Sequence, residues 1–413
     1  MKKFWLLIIL ILVFLQLSAE SFDIHQIIEI GLKNSYDINT KNYSLRTAKQ
    51  NLYSSYLNFI PTTSYNISRT ESQNSIEKSG YISISESFSS NDSRYFYTKK
   101  SLSSLRKSKI DLQITKKETV FQIIQYFLNV LQNQKLLDVA RKVVEISIQN
   151  FEETRILFSH GKVSDLDLQQ SEINLSRAKI DSLKAKNVLK KSIMDLCSLI
   201  NIEYEKNYEF PEFDYEFQNS KDFTFSEDNN LSIDSAIENW KQAKIDYTKN
   251  KLNFLPSFSF SISKNFTWKE KNILDFDKKS SPLKYTLSLS YPLLSPITNL
   301  PTNLKHKYSL KQNQLSLNET RRKQKQNFVF LLSDFQQLQE SLKLAEKQEE
   351  LAKLFFKLTN EKYILGQVDI TDLENARKEL FQSSKDRIIE YYELILTQER
   401  LNLITNSKML NRY

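Results

Sequence analysis

The sequence predicts a mainly α-helical protein with a smaller β portion: two tandem copies of a long helical hairpin, carrying four β-strands between them. Three observations predict it. The first is an apolar stripe spaced alternately by three and four residues, Phe328, Leu331, Phe335, Leu338, Leu342, Ala345, Ala352 and Phe356, interrupted only at Glu349. The second is that the stripe recurs 205 positions earlier as Ile123, Tyr126, Val130, Asn133, Leu137, Ala140, Val144, Ser147 and Phe151. In the same register Gly161 falls on Gly366, Val163 on Val368, Asp167 on Asp372 and Leu168 on Leu373. The match runs without a gap to Leu196–Asn201 on Leu401–Asn406, which marks a duplication. The third is scarcity of chain breakers: 4 Gly and 7 Pro in 413 residues, with Gly161 the sole one between Tyr81 and Glu209, and Gly366 the sole one after Thr302. Such a chain has long helices and few turns.

The elements follow in order. Residues 1–19 read as a signal peptide, with Lys2 and Lys3 before the apolar run Phe4–Leu15 and Leu17-Ser18-Ala19 as the cleavage site. The first repeat is 20–201. It opens with a helix from Phe22 to Phe59, bent at Gly31 and stopped by Pro61. A strand hairpin follows, then a helix from Asp92 to Ser159, on the order of 100 Å long. The turn Ser159-His160-Gly161 leads to a returning helix, Ser164 to Leu199. Residues 202–230 are a connector rich in Tyr, Phe, Asp and Glu, without clear periodicity. The second repeat, 231–406, restarts the pattern: Leu252–Pro256 (LNFLP) matches Leu57–Pro61 (LNFIP) at a spacing of 195. Its long helix is expected to start near Pro301, a favoured first-turn residue. After Gly366 a second helix starts, with Asp369 or Thr371 as its N-cap. Residues 407–413 form a tail.

The strands alternate. Thr63, Tyr65 and Ile67 interleave with Thr62, Ser64, Asn66 and Ser68; after a polar tip, Glu71 to Ser79, Ile82 and Ile84 alternate with serines. Phe258, Phe260, Ile262, Phe266 and Trp268 face serines at 257, 259, 261 and 263; a charged loop, Lys269 to Pro282, precedes Leu283, Tyr285, Leu287, Leu289 and Tyr291. One apolar and one hydroxyl face over about 10 residues suits a tilted strand crossing a bilayer, with the aromatic residues Tyr65, Phe88, Trp268, Tyr285 and Tyr291 near the interfaces. A soluble sheet packed on the helices is the alternative. Four strands cannot close a barrel, so membrane strands imply an oligomer.

Composition excludes other classes. The charge is +9, or +7 once the signal peptide is removed, but the lysines and arginines are spread along helix faces rather than clustered. Cys197 is alone, so no internal disulfide forms. His25, His160 and His306 have no second ligand at metal spacing, and no phosphate loop, nucleophile elbow or paired-carboxylate motif is present. The sequence reads as no enzyme, with no cofactor, no metal site and no nucleic-acid partner.

The order helix, LNFIP, strand pair, long helix, glycine turn, returning helix, present twice, resembles the TolC family of outer-membrane efflux proteins over nearly all of the mature chain. The resemblance implies a homotrimer in the cell outer membrane, with a large periplasmic portion. Four strands per chain would make a shared 12-stranded β-barrel, and the helices a trimeric α-barrel, with the connector and tail as a belt around its middle. It implies a passive exit duct of a tripartite efflux or type I secretion system, opened by splaying of the helical tips, with a periplasmic adaptor and an inner-membrane pump as partners. By the family pattern the adaptor-contacting tips are His160, Gly161, Lys162 and Val163, and Leu365, Gly366, Gln367 and Val368. The periplasmic gate maps to Asp167, Tyr363, Asp372 and Asn375, with an Asp167–Tyr363 link and without the family's arginine, which is Val368 here. A heptad stripe loosens where it is polar, so Asn133, Ser147 and Glu349 are the expected weak places. The rival reading is a structural periplasmic or surface coiled-coil protein without channel activity.

Overall fold

The structure, a computed structural model, describes residues 23–411 apart from 73–74, 90–91, 205–207, 270–281 and 292. The expected signal peptide lies outside the described residues, as does nearly all of the charged loop 269–282. The element order is α1 (Ile24–Asn34), α2 (Tyr36–Leu57), β1 (Thr62–Ser72), β2 (Ser75–Ser89), α3 (Ser93–Ser159), α4 (Asp165–Leu199), α5 (Leu231–Leu252), β3 (Ser257–Lys269), β4 (Lys284–Ser290), α6 (Ser295–Ile364) and α7 (Ile370–Ile404). Two compact units divide the chain: 115–230 and 324–413 with the residues before 40, and 40–114 with 231–323. Each repeat contributes to both, so the units cut across the repeats.

In the first unit the apolar core is built where the heptad stripe meets the short α1 and the connector. Ile27, Ile28, Ile123, Ile124, Phe127, Leu131, Leu196 and Ile395 are buried together there with Phe210 of the connector and Met409 of the tail. The expected stripe holds at Ile123, Val130, Leu137 and Ala140, but Tyr126 is exposed, because Ile124, Phe127 and Leu128 turn inward beside it. The second stripe is buried at Phe328, Leu331, Phe335 and Leu342 against Phe223, Leu394 and Leu401.

The opening helix differs from expectation. It breaks at Ser35, which leaves helical geometry at ψ 123° while its hydroxyl accepts from the Ile38 N–H and starts α2. Gly31 does not bend it. An added Cβ there would overlap the Ile123 side chain and stand 3.1 Å from Ile200 Cγ2, so Gly31 is a close-approach residue.

The connector is periodic after all. Phe213, Tyr215 and Phe217 alternate, and a run of ring contacts links Phe127, Phe213, Tyr215, Phe217 and Tyr391 at centroid distances of 5.3–6.1 Å. Gln398 accepts from the Gln218 N–H, and Glu399 accepts from the Tyr215 hydroxyl (2.5 Å) and from the Leu410 N–H. Two adjacent residues of α7 therefore fasten both connector and tail. Burial pushes the Glu399 carboxyl above the ordinary range. Leu410 adopts a left-handed φ of 47°, held by that bond.

The second unit carries one antiparallel sheet in the order β1-β2-β3-β4. The expected long tip of the first strand pair is strand instead: pairing runs from Thr62↔Ser85 to Ser72↔Ser75. Main-chain groups make the ladder, and polar residues supply them as well as apolar ones. β2 joins β3 from Ser79↔Lys269 to Ser89↔Ser259, which welds the strand pairs of the two repeats together. Below the sheet α3 and α5 are tied by polar groups: Ser103 donates to the buried Glu238 (2.7 Å), and Lys100 pairs with Asp246 (2.7 Å). The second long helix starts at Ser295, six residues before Pro301, which lies inside it. Pro296 already occupies the first turn, where a missing N–H costs nothing.

Candidate gate, docking tips and membrane face

Both helical hairpins of the first unit close through one device. The Gly161 N–H donates to Phe158 O and the Lys162 N–H to Leu157 O, each at 2.9 Å; the Gly366 N–H donates to Tyr363 O and the Gln367 N–H to Lys362 O at the same distances. This is the Schellman pattern, which requires a left-handed residue after the helix. Gly161 at φ 69° and Gly366 at φ 72° supply it, and a Cβ on either would meet nothing within 4 Å. The glycines are thus needed for conformation, not for packing. Around them His160, Lys162, Leu365 and Gln367 are exposed and Val163 and Val368 half-buried. The returning helices end alike too, with Asn201 and Asn406 as the left-handed residues at φ 56° and 58°. Lys117 adds a hydrogen bond of 3.2 Å to Asn406 O.

The N-termini of the returning helices hold the acidic residues. Asp167 forms a capping box with Ser164, accepting from the Ser164 N–H (2.9 Å) and hydroxyl (2.7 Å). In α7 the cap is Asp369, which accepts from the Asp372 N–H at 2.9 Å. Asp372 and Asn375 are exposed. Tyr363 is buried with Ile370 and Leu373, and its hydroxyl bonds Thr154 of α3 at 2.9 Å. Burial pushes the Tyr363 phenol up, the bond to Thr154 pulls it down, and the charges of Asp167 and Glu153 raise it further. Asp167 therefore sits in the electrostatic reach of Tyr363, while each makes its hydrogen bonds elsewhere. Burial also pushes the Glu153 carboxyl up, and its Oε2 has no hydrogen-bond partner among the described residues.

Two polar clusters farther along the helices escaped sequence reasoning. Glu349, the interruption in the stripe, is buried and accepts from Ser384 (2.8 Å) and Arg387 (2.7 Å) of α7. Ser147 of α3 accepts from the buried Arg377, whose guanidinium also pairs with Glu374 of its own helix at 2.5 Å. These two expected weak places are cross-helix ties. Among the described residues the Asn133 side chain bonds Asn129 of its own helix and ties no other. The available signal was a charged residue at a core position, which demands a polar partner across the interface.

In the second unit the register sorts the strands into two faces. Tyr65, Ile84, Phe88, Phe258, Phe260, Ile262, Tyr285, Leu287 and Leu289 share one; Ser64, Ser83, Ser85, Ser87, Ser259, Ser261, Ser263, Thr286 and Ser288 share the other. On the hydroxyl face Ser64 pairs with Ser83 (2.5 Å) and Ser259 with Ser288 (3.0 Å). The first face also carries Glu86 and Lys264, but its apolar side chains are bare: Tyr285 is 63%, Leu287 66% and Leu289 73% exposed. Among the described residues β1 and β4 each have one unpaired edge. Arg94, at the start of α3, gathers the base of the sheet: it pairs with Glu86 and Asp92 (2.6 Å each), donates to Asn58 O and Ser87 O, and lies over Phe59. No described helix is long and apolar enough to cross a membrane.

The helices also leave apolar rows uncovered. Leu166, Ile173, Ile180 and Met194 of α4 are exposed at multiples of seven residues, and so are Phe330, Leu344, Leu351 and Leu358 of α6. A row with this spacing has the form of a coiled-coil seam.

Residues 226–407 match the model of the family described as outer membrane efflux protein. Among solved structures the chain is similar to the VceC outer membrane protein of Vibrio cholerae (TM-score 0.84, 11% identity, 94% of this chain and 96% of that one). It is also similar to the CmeC outer membrane channel of Campylobacter jejuni (TM-score 0.80, 15% identity, 92% and 85%). The MtrE outer membrane channel of Neisseria gonorrhoeae gives a TM-score of 0.80 at 16% identity, covering 94% and 90%. No curated protein matches the chain in sequence.

Proposed function

We infer from the match of residues 226–407 to the outer membrane efflux protein family that the chain is one subunit of a passive exit duct, which crosses the outer membrane through a shared β-barrel and continues into the periplasm through its helices. The observation that carries this reading is the sheet. It has one bare apolar face, one hydroxyl face and an unpaired edge on either side, the form of a barrel segment whose outside meets lipid and whose inside meets water. Three copies supply twelve strands. The uncovered heptad rows on α4 and α6 give neighbouring subunits a seam along the helices.

In the same reading the two glycine turns meet a periplasmic adaptor, through His160, Lys162, Val163, Leu365, Gln367 and Val368. An inner-membrane pump supplies the energy, and the duct itself performs no chemistry. Tyr363, Asp167, Asp372 and Asn375 lie beside these turns and form the gate. The Tyr363–Thr154 bond joins the ends of the two long helices within one subunit, so splaying of the tips must break or carry it.

Purification of the mature chain tests the reading. A detergent-dependent trimer whose migration changes on heating, and which conducts ions in a planar bilayer, is expected. A monomer soluble without detergent refutes the duct. Cysteines placed at Lys162 and Gln367 and crosslinked between subunits are expected to block export while leaving assembly intact; undiminished export refutes the gate at the tips.

A further inference from the structure

We propose that Arg377 is a second latch of the gate, holding α7 against Ser147 of α3 in the closed duct and letting go when the tips part. The latch belongs to the gate proposed above and rests on that reading. Ser147 lies fourteen residues before Gly161, about 21 Å along α3 at 1.5 Å per residue, and outside the gate positions expected from the sequence.

Ties of two strengths hold these helices together. Within the second hairpin the tie is ionic: Glu349 of α6 accepts from Arg387 (2.7 Å) and Ser384 (2.8 Å) of α7, and pairs with Lys353 of its own helix at 3.1 Å. Between that hairpin and α3 the partners on α3 are neutral hydroxyls. Ser147 takes Arg377 of α7, and Thr154 takes the Tyr363 hydroxyl of α6 at 2.9 Å. The two hydroxyls stand seven residues apart on one row of α3 and are 2% and 0% exposed. Parting the hairpin from α3 therefore breaks bonds to neutral groups and leaves the ion pairs whole.

Two details make the Arg377 bond releasable. Its charge is met on its own helix: Nε and Nη2 both donate to Glu374 Oε2, so the pair travels with α7 and no charge is stranded. The hydroxyls of Ser147 and Thr154 already donate one turn back, to Val143 O (2.7 Å) and Asn150 O (2.8 Å). Each meets the second hairpin as an acceptor, and its own donor stays satisfied after release. The duplication confines the device to one hairpin. At the spacing of 205, Val144 and Ser182 stand where Glu349 and Arg387 form the clamp, and Glu172 and Ala352 where Arg377 and Ser147 form the latch.

The mature chain, as a trimer in detergent, is reconstituted into planar bilayers and its ratio of open to closed time measured, with melting of the same preparations followed by circular dichroism. Ser147→Ala removes the acceptor and leaves the Arg377–Glu374 pair in place. The ratio should rise roughly tenfold or more, the worth of one hydrogen bond to a charged group made only in the closed state. Arg377→Lys keeps an ion pair but loses the fork that reaches Glu374 and Ser147 together. It should raise the ratio too, which keeps the test valid if Ser147→Ala does not assemble. Ser384→Ala loosens the tie inside the hairpin, common to both states, so it should lower Tm and leave the ratio within about twofold. An unchanged ratio in Ser147→Ala overturns the latch; a rise in Tyr363→Phe beside it leaves the gate standing, and no rise there removes the gate as well. Equal rises in Ser147→Ala and Ser384→Ala mark general loosening and overturn the latch. Wild type and variants that never conduct overturn the duct, and the latch with it.

Discussion

Removing Arg377 probes how the helical unit tolerates charge in its interior. Arg377 and Glu374 are 7% and 6% exposed, and the guanidinium gives two N–H groups to Glu374 Oε2 and another to Ser147 of α3. In Arg377→Met the Glu374 carboxylate stays buried without its partner, and breaking a buried pair from one side costs about 3–5 kcal/mol. Ser147 also loses a charge-assisted bond, which in isolation is worth about 1.5–3 kcal/mol. Replacing both members, Arg377→Met with Glu374→Met, removes the stranded charge as well and should return stability to within about 1 kcal/mol of wild type. The predicted coupling in the double-mutant cycle is therefore at least about 2 kcal/mol. Denaturant unfolding of the detergent-solubilised protein, followed by circular dichroism, measures it. Additive losses in the double variant, or a loss below about 1 kcal/mol in Arg377→Met, would refute the reasoning, because the pair would then be solvated rather than buried.

Other positions give separate tests. Gly31→Ala places a methyl against Ile123 and Ile200 and should lose about 1–3 kcal/mol, recovered in part by Ile123→Val; an unchanged melting curve would contradict the close approach. Gly161→Ala and Gly366→Ala carry only the strain of a left-handed backbone, so each should lose about 1–2 kcal/mol and the two should add, as read from unfolding of the double variant. Glu399 has a folded pKa above its ordinary value, so its contribution to stability is full below the ordinary carboxylate range and declines as pH rises through the raised value. Glu399→Gln should flatten that slope in stability measured against pH.

Long helices and their turns were readable because their determinants are local. A heptad row, a glycine and a capping Ser or Asp each act within one turn of helix, and Gly161, Gly366, Ser164 and Asp369 do what their positions announce. The strand faces were readable for the same reason. What the residues did not disclose depends on contacts far apart in the chain. Gly31 is required by Ile123 and Ile200, more than ninety positions away. The alternation of Phe213, Tyr215 and Phe217 was masked by the acidic residues between them, and acquires meaning only beside Phe127 and Tyr391. Glu349 looked like a flaw until Ser384 and Arg387 stood opposite. Of the candidate site, the tips were legible as turns, but the partner of Tyr363 was not: Thr154 lies 209 positions earlier, on another helix.

The outermost strands fix a sequence of events in the cell. A single copy reaching hydrocarbon would carry two rows of bare amide groups, each costing several kcal/mol there. In the proposed duct, subunits must accordingly meet before or while they enter the bilayer, and the aliphatic side chains of the last strand must be shielded until then. Biogenesis of the proposed duct is therefore a problem of concentration and timing as much as of folding.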